Sequence, residues 1–333
     1  MPDARAGFPP FRARLPWFTA DLQTVRNFLL RRAPDLSAFR AERIEFPMPD
    51  GDRLIATVNW PAAGARRALV WLVHGITGWE DSFYLRRSAD HLLRLGYPTL
   101  RFNLRGAGPS ASTCRLNYHA GRTEDLHAAL LQLDGRLAGR GLFAVGFSLG
   151  GNLLLKYLGE QGRRCLFQGA VTVSAPIVPK EAQRCIMRRR NGLYHRYILN
   201  GLKEEAGRPN AAITPEQRAK LSRIRSVYEF DEAIVAPANG FAGADDYYEQ
   251  AAALPHLASI GVPTLAIHAL DDPWIPARPY LDFDWSRNRK LTPLITEKGG
   301  HVGFHGSGDG VAWHDRCIAR FFGALEPPSR RWV

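Results

Sequence analysis

The sequence predicts an α/β fold: a mostly parallel sheet with helices on both faces and a helical insertion. Three observations carry that prediction. From residue 69 onward, short apolar runs alternate with stretches of helical period, which is the pattern of parallel strands buried on both faces. An antiparallel hairpin signal precedes them. One strand-to-helix junction reads Gly146-Phe147-Ser148-Leu149-Gly150.

Residues 1–42 begin Pro-rich and basic, then place Leu15, Phe18, Leu22, Val25 and Leu29 at helical spacing. They read as an N-terminal arm with one amphipathic helix over 15–30 that packs on the domain. In 43–60, Ile44-Glu45-Phe46 and Leu54 to Val58 flank Pro49-Asp50-Gly51-Asp52, whose Asp-Gly pair is a strong turn signal. Next come an apolar strand at Leu69–Val73, a helix from Ser82 to Leu95 closed by Gly96, and a strand at Thr99–Asn103. A helix from Thr123 to Leu137 follows, with Thr123 as its N-cap, and then a strand at Leu142–Phe147. Ala170–Val173 and Thr264–Ile267 continue the sheet, and Leu291–Ile295 reads as its last strand.

Between Ile177 and Ala258 the alternation stops. Helical stretches at Ala182–Leu202 and Glu216–Val227 replace it, and a simple crossover needs only about a dozen residues. The expected organisation is an arm at 1–42, a core in two parts at 43–176 and 259–325, a helical lid at 177–258 and a tail at 326–333. A lid there would lie over the strand C-termini, where open α/β sheets bind ligands.

The bulk numbers bound the function. Of 333 residues, 45% are hydrophobic and 11% aromatic, enough for a buried sheet. Lys and Arg number 44 against 32 Asp and Glu, a formal +12. The positive residues are scattered apart from short runs such as Arg188–Arg190 and Arg330–Arg331, and nothing resembles a base-reading motif, so no nucleic-acid partner is expected. A weak contact with anionic membrane surfaces stays open. Cys114, Cys165, Cys185 and Cys317 form no C-x-x-C pair and suggest free thiols. Pro2, Asp3, Arg5, Pro9 and Pro10 stand where a signal peptide needs an apolar core, and no run approaches a membrane span; a cytoplasmic protein is expected. No metal or organic cofactor is implied, since no H-E-x-x-H, Walker loop or strand-linked G-x-G-x-x-G occurs.

The chemistry centres on Ser148. Small residues two before and two after it suit a sharp strand-to-helix turn that presents the serine, and Asn152 to Glu160 continues as helix. A serine hydroxyl needs a general base, and the base needs an acid to orient it. In the chain order of the α/β-hydrolase fold both follow the serine. His301 stands after Gly299-Gly300 in the loop beyond the last strand, where the base must be; His305 and His314 are the alternatives. For the acid, Asp271-Asp272-Pro273 ends the strand at 264–267, with Asp272 preferred and Asp271 its rival. Acyl transfer also requires two backbone donors for the oxyanion. Leu149, directly after the serine, and Ile76, in His74-Gly75-Ile76-Thr77-Gly78 after the first buried strand, fill that role, with His74 as an orienting hydrogen-bonder.

Taken together, Leu72 to Gly78, Phe102 to Gly106, Tyr118 to Gly121 with Thr123 to Leu126, Gly146 to Asn152, Asp271 to Pro273 and Gly299 to Phe304 resemble the YheT-like branch of the α/β-hydrolases. The likeness extends to Leu22-Gln23-Thr24, Gly240-Phe241 and Tyr247-Tyr248. It implies a triad of Ser148, Asp272 (or Asp271) and His301 and a carboxylic-ester substrate with a short or medium acyl chain. The expected activity is that of a serine carboxylesterase acting through an acyl-enzyme. One alternative is an acyltransferase using the same site, in which an alcohol intercepts the acyl-enzyme; a more distant one is a non-catalytic surface-binding module.

Overall fold

The computed structural model describes residues 7–30, 33–308 and 310–326. Pro2, Asp3 and Arg5 of the arm, and the tail beyond Glu326 with its Arg330–Arg331 pair, lie outside the described residues. Eight strands form one sheet in the order β1-β2-β4-β3-β5-β6-β7-β8. They are β1 (Ala41–Pro47), β2 (Arg53–Asn59), β3 (Leu69–Val73), β4 (Thr99–Phe102), β5 (Leu142–Phe147), β6 (Gly169–Val173), β7 (Thr264–Ala269) and β8 (Leu291–Thr296). β1 and β2 pair antiparallel, as do β2 and β4; every later pairing is parallel. Val73 lies opposite Gly146, Phe147 opposite Val173, and Val173 opposite Ile267. The C-terminal ends of β3, β5, β6 and β7 therefore align along one edge, which gathers their following loops.

The strands β3 to β7 are buried throughout, because helices cover both faces. On one face α2 (Phe83–Arg94) and α13 (Trp313–Leu325) pack Leu85, Leu92, Trp313 and Phe322 against Val70, Leu72 and Phe143. On the other face α3 (Thr123–Leu131) and α5 (Leu149–Gln161) pack Leu126, Leu130 and Leu154 against Trp71 and Phe102, while the four residues of α4 (Gly135–Ala138) bring Leu137 to the same cluster. Between β6 and β7 run α6 (Pro179–Ile186), α7 (Gly192–Ala206), α8 (Pro215–Leu221), α9 (Val227–Phe230), α10 (Ala236–Ala238) and α11 (Ala244–Ala251). This stretch has its own small core, in which Ile186, Ile198, Leu202, Phe230 and Ile234 meet Trp274 and Ile275 from beyond β7. The chain passes from α9 to α10 through a π-helical turn at Asp231–Val235. A short α12 (Arg278–Asp282) follows β7. Among the described residues, no helix is long and apolar enough to cross a membrane.

Several helices differ from the sequence expectation. The helix read from Thr123 to Leu137 is two, α3 and α4, because Asp134 turns its carboxylate onto the Arg136 N–H and starts a new helix there. Arg122, not Thr123, holds the cap position of α3, and the Thr123 hydroxyl donates to Glu160 instead. The stretch Ala182–Leu202 breaks between α6 and α7, where the buried Asn191 amide donates to the carbonyls of Cys185 and Pro273. Glu216–Val227 breaks likewise, and Ser226 caps α9.

The arm departs furthest. Its helix α1 spans only Ala20–Leu30, and the residues it buries are Gln23, Thr24 and Arg26, while Leu15, Phe18 and Leu29 stay exposed. The reason is what α1 packs on. It meets the backbone of the loop around residues 300–305, whose N–H and C=O groups need polar partners. Gln23 supplies them: its Oε1 accepts from His305 N and its Nε2 donates to His305 O.

Candidate active site

Ser148 stands between β5 and α5 with φ of 51° and ψ of −123°. Its own N–H donates to Val173 O, and its carbonyl accepts from the N–H groups of Gly151 and Asn152 as the helix starts. The strand thus turns into a helix within one residue. Such a turn fits only if its flanks lack side chains. A Cβ at Gly146 would come within 2.5 Å of Gly150 O, and one at Gly150 would run into the carbonyls of His74 and Val73. Thr77, Ser148, Ser174, Val302 and Phe304 are the non-glycine residues with positive φ among those described. All stand in loops beyond the C-terminal ends of β3, β5, β6 and β8, so the backbone strain of the fold gathers at this edge.

The Ser148 Oγ lies 2.9 Å from Nε2 of His301, whose Nδ1 is 2.8 Å from Oδ2 of Asp272. All three residues are buried, with 6 to 8% of their surface exposed. Asp272 Oδ1 accepts from the N–H groups of Trp274 and Ile275 at 2.8 and 3.0 Å. Burial pushes the Asp272 carboxyl up, but the imidazoles of His301 and His268 and the Ile275 N–H outweigh it and hold the group below the usual carboxylate range. An ionised carboxylate only accepts, so Nδ1 of His301 carries the proton and Nε2 faces the serine as an acceptor. The Trp274 ring stacks on His301 at 4.3 Å between centroids with a 23° tilt. His301 N donates to the Thr24 hydroxyl, and Val302 N donates to Ser174 Oγ.

The rival acid is used elsewhere. Asp271 Oδ1 accepts from Gly300 N at 2.9 Å, bracing the turn just before His301. The alternative bases also lie apart from Ser148. His305 accepts a contact from Arg26 at its Nδ1, and burial together with the Arg26 charge pushes it down to about 2. His314 sits beside Asp315.

The β3–α2 loop completes the arrangement. His74 donates from Nδ1 to Gly75 O and accepts from Leu104 N at Nε2, and burial pushes its pKa down to about 4, so it is a neutral brace. Gly75 packs so close to the serine that a Cβ there would lie 2.9 Å from Ser148 Cβ. The Gly75 N–H donates to the Tyr84 hydroxyl at 2.8 Å and the Thr77 N–H to the Tyr118 hydroxyl at 2.7 Å. Ile76 is therefore pinned on both sides beside Ser148, and Leu149 contributes an unpaired first-turn position of α5. Tyr84, Tyr118 and Trp274 carry weight that sequence reasoning missed. Trp274 stood in view directly after Asp271-Asp272-Pro273, and Tyr118 opened the Tyr118 to Gly121 motif without a role of its own, whereas nothing local marks Tyr84.

Two cavities meet at Ser148. The narrower, about 100 Å³ and almost wholly apolar, is lined by Leu149, Ile186, Ile198, Val227, Trp274 and Ile275, with Asp231 and Tyr248 among the few polar groups. The wider, about 290 Å³, opens past His301 between the 75–79 loop, α1 and α7. Ile76 borders both. Among the described residues no group of three His, Cys, Asp or Glu side chains is placed to hold a metal, and the four cysteines are free thiols.

A sequence model of the alpha/beta hydrolase fold matches residues 68–307. The chain is 33% identical over 305 residues to YheT of Escherichia coli (strain K12), a protein named as an esterase, covering 90% of this chain and 88% of that one. It is 30% identical over 280 residues to medium-chain fatty acid ethyl ester synthase/esterase 2 of Saccharomyces cerevisiae, and 29% identical over 267 residues to a monoacylglycerol lipase of the same yeast. The matches cover 61% and 59% of those two longer proteins. Among solved structures, an esterase of Pyrococcus furiosus superposes with a TM-score of 0.58 over 97% of this chain and 99% of that one, at 16% identity.

Proposed function

The chain belongs to the α/β-hydrolase family, in its YheT-like branch, and from that premise we propose that it is a serine carboxylesterase with Ser148, His301 and Asp272 as its triad. The observation that carries the proposal is the unbroken run of hydrogen bonds from Ser148 Oγ through His301 to Asp272, at the aligned strand ends. His301 Nε2 takes the hydroxyl proton as Oγ attacks the ester carbonyl, and Asp272 stabilises the imidazolium that results. The Ile76 and Leu149 N–H groups meet the oxyanion. His301 then gives its proton to the leaving alcohol oxygen, and water attacks the acyl-enzyme by the same route in reverse.

The two cavities divide the substrate. His301 must reach the leaving oxygen, so the wider cavity, which it lines, suits the alcohol. The apolar one, beside Leu149, suits a short or medium acyl chain. Residues of α6, α7, α9 and α11 line that acyl cavity, and the segment that carries them acts as the lid. Free thiols fit a reducing compartment, which supports a cytoplasmic enzyme. The test is labelling by a fluorophosphonate probe together with turnover of a short p-nitrophenyl ester. Ser148→Ala, folded, is expected to lose labelling and at least ~10⁴-fold in kcat; undiminished turnover overturns the assignment.

A second reading rests on the width of the alcohol-side cavity, which has room for an alcohol in place of water. With ethanol present, ethyl esters accumulating beyond the uncatalysed level would show acyl transfer.

A further inference from the structure

The mouth of the wider cavity is unusual in what surrounds it. Phe28 (43% exposed), Trp79 (42%) and Tyr197 (49%) line the cavity and yet stand well out into solvent. They come from three places in the chain but form one patch: the Phe28 ring lies 5.3 Å from that of Tyr197 and 6.5 Å from that of Phe83. Leu193, 82% exposed, is one turn before Tyr197 on the same face of α7. Scattered exposed apolar side chains need no explanation, but a contiguous set around a cavity entrance does.

The flank is basic. Residues 179–203 contain seven Lys and Arg against the single acid Glu181, a net +6 that is half the charge of the whole chain. Arg184, Arg188, Arg189, Arg190 and Arg196 are all exposed. Asp21 of α1 ties this stretch to the mouth, accepting from Arg190 and from the Tyr194 hydroxyl, each at 2.9 Å. The charges therefore border the apolar patch.

We propose that this face docks on an anionic lipid bilayer, with Phe28, Trp79, Leu193 and Tyr197 entering the headgroup boundary and the arginines of 184–196 meeting lipid phosphates. The combination of an apolar face and a basic rim is that of a surface lying in the interface plane. Each arginine near an anionic leaflet adds electrostatic attraction, and the apolar side chains supply the rest. A protein partner is the less fitting occupant, because the patch encircles the entrance to Ser148. An ester with an apolar chain could pass from the lipid into the cavity without crossing water. The docking gains its purpose from the esterase reading above, but its test does not depend on it.

The experiment is co-sedimentation of the full chain with vesicles of phosphatidylcholine alone or with phosphatidylglycerol added. Wild type is expected to bind the anionic vesicles, more weakly in high salt, and the zwitterionic ones less. Leu193→Asp and the pair Arg188→Glu with Arg189→Glu are each expected to weaken binding about tenfold or more. Leu193 does not line either cavity at Ser148, so Leu193→Asp keeps its turnover of a soluble short ester, which also shows that it folds. Ser148→Ala is expected to bind vesicles as wild type does, so loss of the esterase assignment leaves this result standing. Wild type remaining in the supernatant with anionic vesicles overturns the proposal. So does binding that neither variant weakens, or retention that appears only when other proteins are added.

Discussion

At the sheet edge the buried carboxyl of Asp272 lies below the usual range, whereas in the helices above it Asp231 and Glu205 are both pushed up to about 7. Asp272 and Asp231 are equally buried and Glu205 is half-buried, so burial alone does not separate them. The difference is in the partners. Asp272 receives two backbone N–H groups and an imidazole N–H. Asp231 receives one hydroxyl, from Tyr248 at 2.6 Å, and Glu205 one from Tyr118 at 3.0 Å. A charge that the strand ends are built to hold is one that the helical segment only tolerates. Asp272 is held as a carboxylate, whereas Asp231 and Glu205 stand poised near neutrality.

The sharpest way to break this comparison is to remove the charge of Asp272. Asp272→Asn keeps the shape but presents an amide to His301 Nδ1, which favours the wrong tautomer. We expect kcat to fall by about 10⁴-fold with KM little changed. Asp271→Asn is the matched control. It removes the charge but keeps an amide oxygen to accept from Gly300 N, and a loss of less than about tenfold is expected. Equal losses in steady-state turnover would mean that the two carboxylates are not divided between chemistry and bracing.

This division marks what was readable in the chain. Ser148, His301 and Asp272 each sit in a local signal: a Gly-x-Ser-x-Gly turn, a Gly-Gly-His loop, and a strand ending in acids. Their order along the sequence was enough to associate them. The strands were legible for a similar reason, since a strand buried on both faces is an apolar run whatever covers it. Tyr84 and Tyr118 were not legible, because each works through a backbone N–H that only the tertiary fold brings to it. Choosing Asp272 over Asp271 had no decisive local basis, as adjacent side chains differ only in where the backbone aims them. Helix α1 was misread because apolar period assumes packing on side chains, while α1 packs on a loop backbone through Gln23 and Thr24.

The second consequence is a pH dependence of opposite sign in the two regions. The folded state holds the Asp231 proton up to about 7, while an unfolded chain releases it near the ordinary aspartate value of 3.8. Between those values the folded form binds the extra proton, so stability falls as pH rises through the window and is level above it. Buried histidines of the core act in reverse: His74, at about 4, and His305, at about 2, stay neutral where the unfolded chain charges, so stability falls as pH drops below about 6.5. Asp231→Asn keeps an acceptor for Tyr248 and removes the titration. In chemical denaturation it is expected to match wild type at the acidic end of the window and to exceed it above pH 7 by up to about 4 kcal/mol. An equal difference at both ends would mean that the substitution acts through packing and not through charge.

The smallest expected effect lies where the two regions touch. The Tyr118 hydroxyl has one proton, which it gives to Glu205 on α7, and that leaves its oxygen free to accept from Thr77 N beside Ile76. The same helix presses on the loop directly, since a Cβ at Gly201 would lie 2.7 Å from Thr77 Cγ2. Glu205 therefore orients a hydroxyl that in turn positions the loop carrying Ile76, the proposed oxyanion donor. Tyr118→Phe leaves the half-buried Thr77 N–H without its acceptor, and about a tenfold loss in kcat is expected with little change in KM, because the oxyanion exists only in the transition state. Glu205→Gln retains an acceptor for Tyr118, so kcat should stay within about threefold of wild type. What it removes is the titration near 7, and the pH profile of kcat should flatten there relative to wild type. A Glu205→Gln profile superimposable on the wild-type one would confine Glu205 to holding the cover in place and cut it from the positioning of Ile76.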